Sequence, residues 1–183
     1  MKKAFFSCLF FLLISFGAKA QMEEERVGWK ENALTWSDFK GAPDPASPFS
    51  ANTSSGISYG WSMKGSATGK EYSSEVTSFF IPGKSWVKGG SASAKLLDHE
   101  QLHFDITELF ARKLRKALAE FDFDNAPDLK ADLQALYNNA ERERALVQQK
   151  FDVETRHSMN EAAQLEWQKF IKKELKKLED FSS

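Results

Sequence analysis

A long amphipathic segment at residues 94–121 constrains the fold of this chain more than any other feature. Its apolar side chains recur every three or four residues, which is typical of a helix with one buried face. Either Ser91 or Ser93 can cap its start. The stripe consists of Leu96, His99, Leu102, His103, Ile106, Leu109, Phe110, Leu114, Ala117 and Leu118. The pattern predicts a long helix whose buried face carries two histidines.

The elements on either side of this helix indicate an α+β fold. Residues 55–63 and 72–81 have the composition of strands and are separated by turn residues, which predicts a hairpin. A third short strand is predicted at 86–87. After the long helix, the apolar spacing predicts two further helices, at about 127–154 and about 160–180. We therefore expect a small antiparallel β-sheet region followed by three helices that pack against it.

The beginning of the chain is predicted to be a signal peptide, residues 1–20. Two lysines precede an apolar run at 4–14, and Ala18 and Ala20 supply the small residues that a signal peptidase reads. The mature protein would begin at Gln21 and form a single domain over 21–183. No other apolar stretch is long enough to cross a bilayer. We therefore expect a periplasmic or secreted protein with no stable membrane insertion after cleavage.

Composition and charge exclude several other classes of protein. The chain has 183 residues, 42% of them hydrophobic, which suits one globular domain. Its formal net charge of -1 gives no basic surface for nucleic acid, so we expect no nucleic-acid partner. The single cysteine, Cys8, lies in the predicted signal peptide. The mature chain therefore has neither a disulfide nor a cysteine-based zinc site.

The chemistry of the chain is concentrated in an H-E-x-x-H motif that runs from His99 to His103. Residues four apart on a helix lie on the same face, so both imidazoles can bind one zinc ion. Glu100 lies beside the first histidine and need not bind the metal. We expect Glu100 to act as the general base that accepts a proton from a zinc-activated water.

A catalytic zinc site has three protein ligands, so one ligand must come from elsewhere in the chain. His157 is the only other histidine, and it lies at the junction of the second and third predicted helices. We favour it as the third ligand. Glu154 is the alternative third or additional ligand, because it continues the predicted buried stripe of Val147 and Phe151. Glu154 could also orient a ligating histidine instead of binding the metal.

Three blocks of sequence resemble a bacterial family designated domain of unknown function 922, whose members are predicted secreted zinc-dependent proteases. The blocks are residues 34–41 with 51–59, residues 97–106, and residues 152–157 followed by Gln164 and Trp167. The resemblance implies a zincin-like active-site helix and a single metal site that uses His99, His103 and His157. One departure is Ser158, where glycine would be expected after the third histidine.

These observations predict a zinc-dependent metallopeptidase that acts on a peptide or protein substrate. The alternative is a non-catalytic zinc-binding or interaction module of the cell envelope. In that case four protein ligands would close the site, with Glu154 as the fourth. The two functions are distinguished by the coordination of the metal, because catalysis needs an open position and a free Glu100.

Overall fold

The computed structural model describes residues 24–30, 34–66 and 69–182. The predicted signal peptide and its cleavage site lie outside these residues. Among the helices of the described residues, none combines the length and the apolar character that crossing a membrane requires.

Within the described residues, five strands form two small antiparallel sheets. They are β1 (Val27–Gly28), β2 (Ala51–Asn52), β3 (Ser55–Ser66), β4 (Gly69–Phe80) and β5 (Trp86–Val87). One sheet has the order β1-β4-β3, and β2 pairs with β5 in the other. The predicted hairpin is the β3–β4 pair, with Ile57 opposite Ser78. Both β1 and β2 were missed from the sequence, because two residues are too few to show an alternating pattern.

Three helices follow the strands: α1 (Ala94–Ala119), α2 (Leu129–Thr155) and α3 (Glu161–Lys177). Each begins at a side chain that accepts a hydrogen bond from the first turn, namely Ser93, Asp128 and Asn160. These caps explain why the helices begin close to the predicted positions. The α+β fold predicted from the sequence, with small antiparallel sheets and three helices, is confirmed.

The central helix, α1, packs against the hairpin on one side and against α2 and α3 on the other. The main core joins all four parts of the fold through Ile57, Val76, Ile106, Leu109, Phe110, Leu133, Phe151, Trp167 and Ile171. Because α1 is covered on both sides, some of its polar residues are buried as well. Glu108, for example, is fully buried and pairs with Arg112 at 2.8 Å and Arg115 at 3.1 Å. The same carboxylate accepts a hydrogen bond from the hydroxyl of Ser78 in β4, which links α1 to the hairpin.

Candidate metal centre

The two histidines of the motif lie one turn apart on α1 and face α2. His99 is buried and His103 is mostly buried. Their rings meet edge to face with centroids 4.9 Å apart. Both rings also contact Phe151 of α2, at centroid distances of 4.5 and 5.0 Å. Packing against this fully buried ring holds both imidazoles towards the same point on α2.

That point on α2 is the carboxylate of Asp152. Its Oδ1 lies 3.2 Å from His99 Nε2 and 3.1 Å from His103 Nε2. One ligand atom from each of the three residues can be chosen so that all lie within 4.8 Å of one another. In the sequence, Asp152 stands out only as part of a block of family resemblance, and no role was predicted for it. The structure brings it to the histidine pair through the crossing of α1 and α2.

Gln148 fixes the orientation and the tautomer of His103. Its Nε2 donates a 2.8 Å hydrogen bond to the carbonyl oxygen of His103. The other amide atom, Oε1, therefore faces His103 Nδ1 and accepts a hydrogen bond from it. When the imidazole is neutral, its proton therefore lies on Nδ1 and the lone pair of Nε2 points towards Asp152. Gln148 was also missed from the sequence.

The electrostatics of the cluster favour a cation between these groups. Burial alone would raise the pKa of the Asp152 carboxyl, but hydrogen bonds with His103 and His99 hold it well below its usual value. Burial also works against the charged form of His103, yet Asp152, Glu100 and Gln148 raise its pKa. A nitrogen lone pair and a carboxylate oxygen 3.1 Å apart repel unless a proton or a metal ion lies between them. Two imidazole nitrogens and a carboxylate oxygen are ligands of zinc, so these residues fit the expected metal.

Glu100 is buried next to the histidine pair without joining the cluster. Only 4% of the residue is exposed, and it lines the same cleft as His99 and His103. Among the described residues, nothing forms a hydrogen bond with its Oε2. A buried carboxylate oxygen without a partner is costly. Its position suits a group that hydrogen-bonds to a molecule bound in the cleft.

His157 reaches the cleft but stands outside the cluster of ligand atoms. Its side chain is 48% exposed, and its Nδ1 is 3.6 Å from Asp152 Oδ1. Its ring packs against Phe49, which lines the same cleft. The turn that carries it contains three consecutive residues in the left-handed region, with φ values of 50°, 51° and 72° at Arg156, His157 and Ser158. Glycine is favoured in this region, which explains why glycine would be expected at position 158.

The structure does not bring Glu154 to the histidine pair. Its side chain is 47% exposed, and its carboxylate accepts a 2.8 Å hydrogen bond from Trp167 Nε1 of α3. The expectation that Glu154 continues the buried stripe is wrong, because the stripe passes from Phe151 to the fully buried Thr155. Glu154 therefore links α2 to α3 on the far side of the stripe.

A cleft of about 730 Å³ lies over the candidate centre. Residues 48–53 line it together with His99, Glu100 and His103. Asp152, His157 and Met159 are also part of the lining. The cleft has the size of a site for a small molecule or a short segment of chain.

Together, the fold and this site define an α+β protein with a candidate metal centre on its central helix. Residues 84–158 match the family described as bacterial protein of unknown function (DUF922). This segment contains the H-E-x-x-H motif, Gln148, Asp152 and His157. The segment that carries the candidate centre therefore belongs to the family that its motifs indicate. No curated protein and no solved structure matches the chain.

Proposed function

We propose that this protein is a zinc-dependent metallopeptidase that hydrolyses bonds in a peptide or protein substrate. The observation that carries this proposal is the convergence of His99 Nε2 and His103 Nε2 on one carboxylate oxygen of Asp152. Glu100 borders the same cleft with a buried carboxylate oxygen. Two histidines, a carboxylate and an adjacent glutamate are the groups that an H-E-x-x-H zinc hydrolase uses.

In this proposal His99, His103 and Asp152 hold the zinc ion. Support for Asp152 comes from its place in the compact group of ligand atoms, towards which Gln148 turns His103. His157, the third ligand favoured by the sequence, is the competing candidate. Its Nδ1 lies 3.6 Å from Asp152 Oδ1, but it is not a member of the compact group of ligand atoms. Three protein ligands leave one coordination position open, as catalysis requires.

Glu100 is the general base in the proposed reaction. Zinc bound at this centre would supply a Lewis acid that polarises a carbonyl group and lowers the pKa of a water molecule to about 7. The Glu100 carboxylate accepts a proton from the attacking water as the water oxygen bonds to the carbonyl carbon. The C–N bond then breaks, and Glu100 returns this proton to the leaving nitrogen. The sum is the addition of one water across one peptide bond, so no further reactant is needed.

The proposed location is the periplasm or the exterior of the cell. It depends on the predicted signal peptide at residues 1–20. Intact mass of the exported protein tests it, and the expected mature chain begins at Gln21. A chain that keeps residues 1–20 after export would contradict both the signal peptide and this location.

A second candidate function is a non-catalytic zinc-binding or interaction module of the cell envelope. The proximity of His157 Nδ1 to Asp152 Oδ1, at 3.6 Å, favours it because it adds a fourth potential ligand beside the cluster. Four protein ligands would close the site and leave no position for a substrate. Glu154, the fourth ligand expected from the sequence, is turned towards Trp167 and does not support this candidate.

Metal analysis of the purified mature protein, combined with a peptide-library cleavage assay, separates the two functions. Because two histidines and a carboxylate also bind iron(II), the analysis must cover all first-row transition metals. We expect about one zinc per chain and cleavage that zinc chelation abolishes. A zinc-loaded protein that cleaves no peptide, and whose X-ray absorption spectrum shows four protein ligands, would establish the module instead.

A further inference from the structure

We infer that a second cleft, on the face of α1 opposite the candidate centre, binds the phosphate group of a small phosphate monoester. This cleft has a volume of about 920 Å³ and is lined by residues 29–30, by α1 and by α3. Each residue of a helix turns the chain by about 100°, so residues two apart, such as His103 and Asp105, lie on opposite faces of α1. The second cleft is therefore separate from the metal centre and does not depend on the proposed peptidase.

A largely buried arginine with an unused donor lines the second cleft. Arg112 is only 6% exposed, and its Nε donates a 2.8 Å hydrogen bond to Glu108 Oε1. Its Nη1 donates another 2.8 Å hydrogen bond to the carbonyl oxygen of Leu175. Among the described residues, no group accepts a hydrogen bond from the other terminal nitrogen, Nη2. An unused donor on a buried charged group is costly, so Arg112 suits an anionic ligand in the cleft.

The positive charge of Arg112 is not fully cancelled within the protein. Its acceptor, Glu108, also pairs with Arg115 at 3.1 Å. One carboxylate therefore serves two guanidinium groups, and these three side chains together carry a net positive charge. The hydrogen bond to Leu175 places the Arg112 guanidinium against the last turns of α3. An anion in the second cleft would balance the excess charge there.

Two lysines of α3 add to this positive charge. Lys172 and Lys176 are exposed, line the cleft and lie on the same face of α3, because they are four residues apart. Among the described residues neither pairs with a carboxylate, whereas Lys169 and Lys177 each pair with the glutamate three residues before. Like charges four apart on a helix repel each other. An anion bound between Lys172 and Lys176 would relieve this repulsion.

The acidic residues of the second cleft do not cancel its positive charge. Asp105 and Glu179 line it together with four basic side chains. Asp105 Oδ1 accepts 2.8 Å hydrogen bonds from Trp29 Nε1 and Gln101 Nε2. Burial raises the pKa of the Asp105 carboxyl, so its negative charge is less favourable here than in water. The lining as a whole therefore favours an anion.

The distribution of the donors favours phosphate over a planar carboxylate. Lys30 precedes the helices, Arg112 belongs to α1, and the two lysines belong to α3, so the donors come from three separate parts of the chain. A phosphate has three acceptor oxygens in a tetrahedral arrangement, and arginine and lysine are its usual partners. Trp29 and Leu175 also line the cleft and supply apolar surface for the organic part of a monoester.

The site is tested by titrating the full mature protein with phenyl phosphate, inorganic phosphate and phthalate at constant ionic strength. The NMR signal of the Trp29 indole N–H, which is bonded to Asp105, reports binding, and Trp29→Phe identifies this signal. Phenyl phosphate should give a saturable shift, with an affinity about three- to tenfold above that of inorganic phosphate because of its apolar ring. Phthalate carries the same charge on planar carboxylates and should bind more weakly than phenyl phosphate.

Charge reversal separates this site from the general field of the protein. Lys172→Glu should weaken the binding of phenyl phosphate about tenfold or more. Lys173→Glu is the matched control, because Lys173 is the exposed neighbour, makes the same change in net charge and does not line the cleft. It should weaken binding by less than about threefold, since the added charge is screened by solvent. Equal losses in the two variants would overturn the site.

The remaining outcomes decide the chemistry and the place of binding. Tighter binding of phthalate, or no gain from the phenyl ring, would overturn the assignment of a phosphate monoester. Binding should persist in the metal-free protein, because the second cleft lies on the opposite face of α1. Binding that disappears with zinc would place the phosphate on the metal and overturn this inference without contradicting the peptidase. Binding by a protein that cleaves no peptide would support the second site and leave it independent of the proposed function.

Discussion

The side-chain amide of Gln148 contacts His103 at two points, since its Nε2 donates to the His103 carbonyl oxygen and its Oε1 accepts from Nδ1. Gln148→Leu removes both contacts and releases the imidazole from its orientation. We expect zinc affinity to fall about 10- to 100-fold, the usual effect of losing such a partner. Competition with a chromophoric chelator measures it. Gln149→Leu is the matched control, because Gln149 is the exposed neighbour. Equal affinities in the two variants would contradict the role of Gln148.

The third metal ligand can be identified by comparing substitutions at three positions. Asp152→Ala should release zinc, because it removes the oxygen on which both histidines converge. His157→Ala should retain most of it, and Glu154→Ala should retain all of it, since that carboxylate pairs with Trp167. Zinc content after dialysis is the measurement. If His157→Ala releases the metal and Asp152→Ala does not, then His157 is the third ligand, as the sequence predicts.

Glu100→Gln should separate catalysis from metal binding. It keeps the size of the side chain but cannot accept the proton, so hydrolysis should fall by about 100-fold or more. Zinc content and the thermal unfolding curve should match those of the wild type. Asp98→Asn is the control, because Asp98 is the exposed carboxylate on the other side of His99. Unchanged turnover in Glu100→Gln would remove this residue from the reaction.

The metal-free and zinc-bound proteins should respond to pH in opposite directions. In the metal-free protein His103 has a raised pKa, so its stabilising effect is complete below the usual value of 6.5 and is lost as pH rises through the raised value. Asp152 has a lowered pKa and stabilises above its usual value of 3.8, so its effect is lost only in acid.

Between about pH 6 and pH 8 the melting temperature should therefore fall in the metal-free protein. It should rise with bound zinc, because zinc needs deprotonated histidines. Melting curves recorded with a chelator and with added zinc test this difference. In His103→Gln the metal-free decline should become smaller. Parallel pH profiles for the chelated and the zinc-loaded wild type would count against the centre.

Ser158→Gly should stabilise the turn that carries His157. Ser158 has a φ of 72°, in the left-handed region, where a side chain costs about 1 kcal/mol and glycine does not. We expect the free energy of unfolding, measured in urea, to rise by about that amount. Ala145→Gly is the control of opposite sign, because Ala145 is exposed in the interior of α2 and glycine there costs about 1 kcal/mol. A loss of stability in both variants would contradict strain at Ser158.

The sequence predicts the parts of this fold that have a long periodic segment or a local signal such as a helix cap. The apolar spacing and the cap at Ser93 are sufficient to locate α1, and the H-E-x-x-H spacing is sufficient to place both histidines on one face. The same signals do not show whether Asp152 or Glu154 faces the histidines. These two residues lie on either side of Phe151 and Thr155 in the buried stripe, and only the crossing of α2 over α1 decides which side faces the histidines.

Gln148 lies one turn before Asp152, on the same face of α2. This pair of polar residues beside an apolar stripe is the signal that the sequence contains for the rest of the centre. It is weak, because polar residues at the margin of a buried helix face are common. The short strands β1 and β2 carry no periodic signal, and their pairing depends on distant partners in β4 and β5.

Phe151 packs against both candidate ligand histidines and against Trp167 of α3, and it has no exposed surface. One aromatic ring therefore belongs to the interior of the helical layer and to the wall of the candidate centre. A smaller residue at this position would leave a void directly behind both imidazoles and let them turn. A change in the packing of the helical layer at this position therefore also changes the candidate centre. A substitution that only loosens this packing would give a protein that folds but no longer retains its metal.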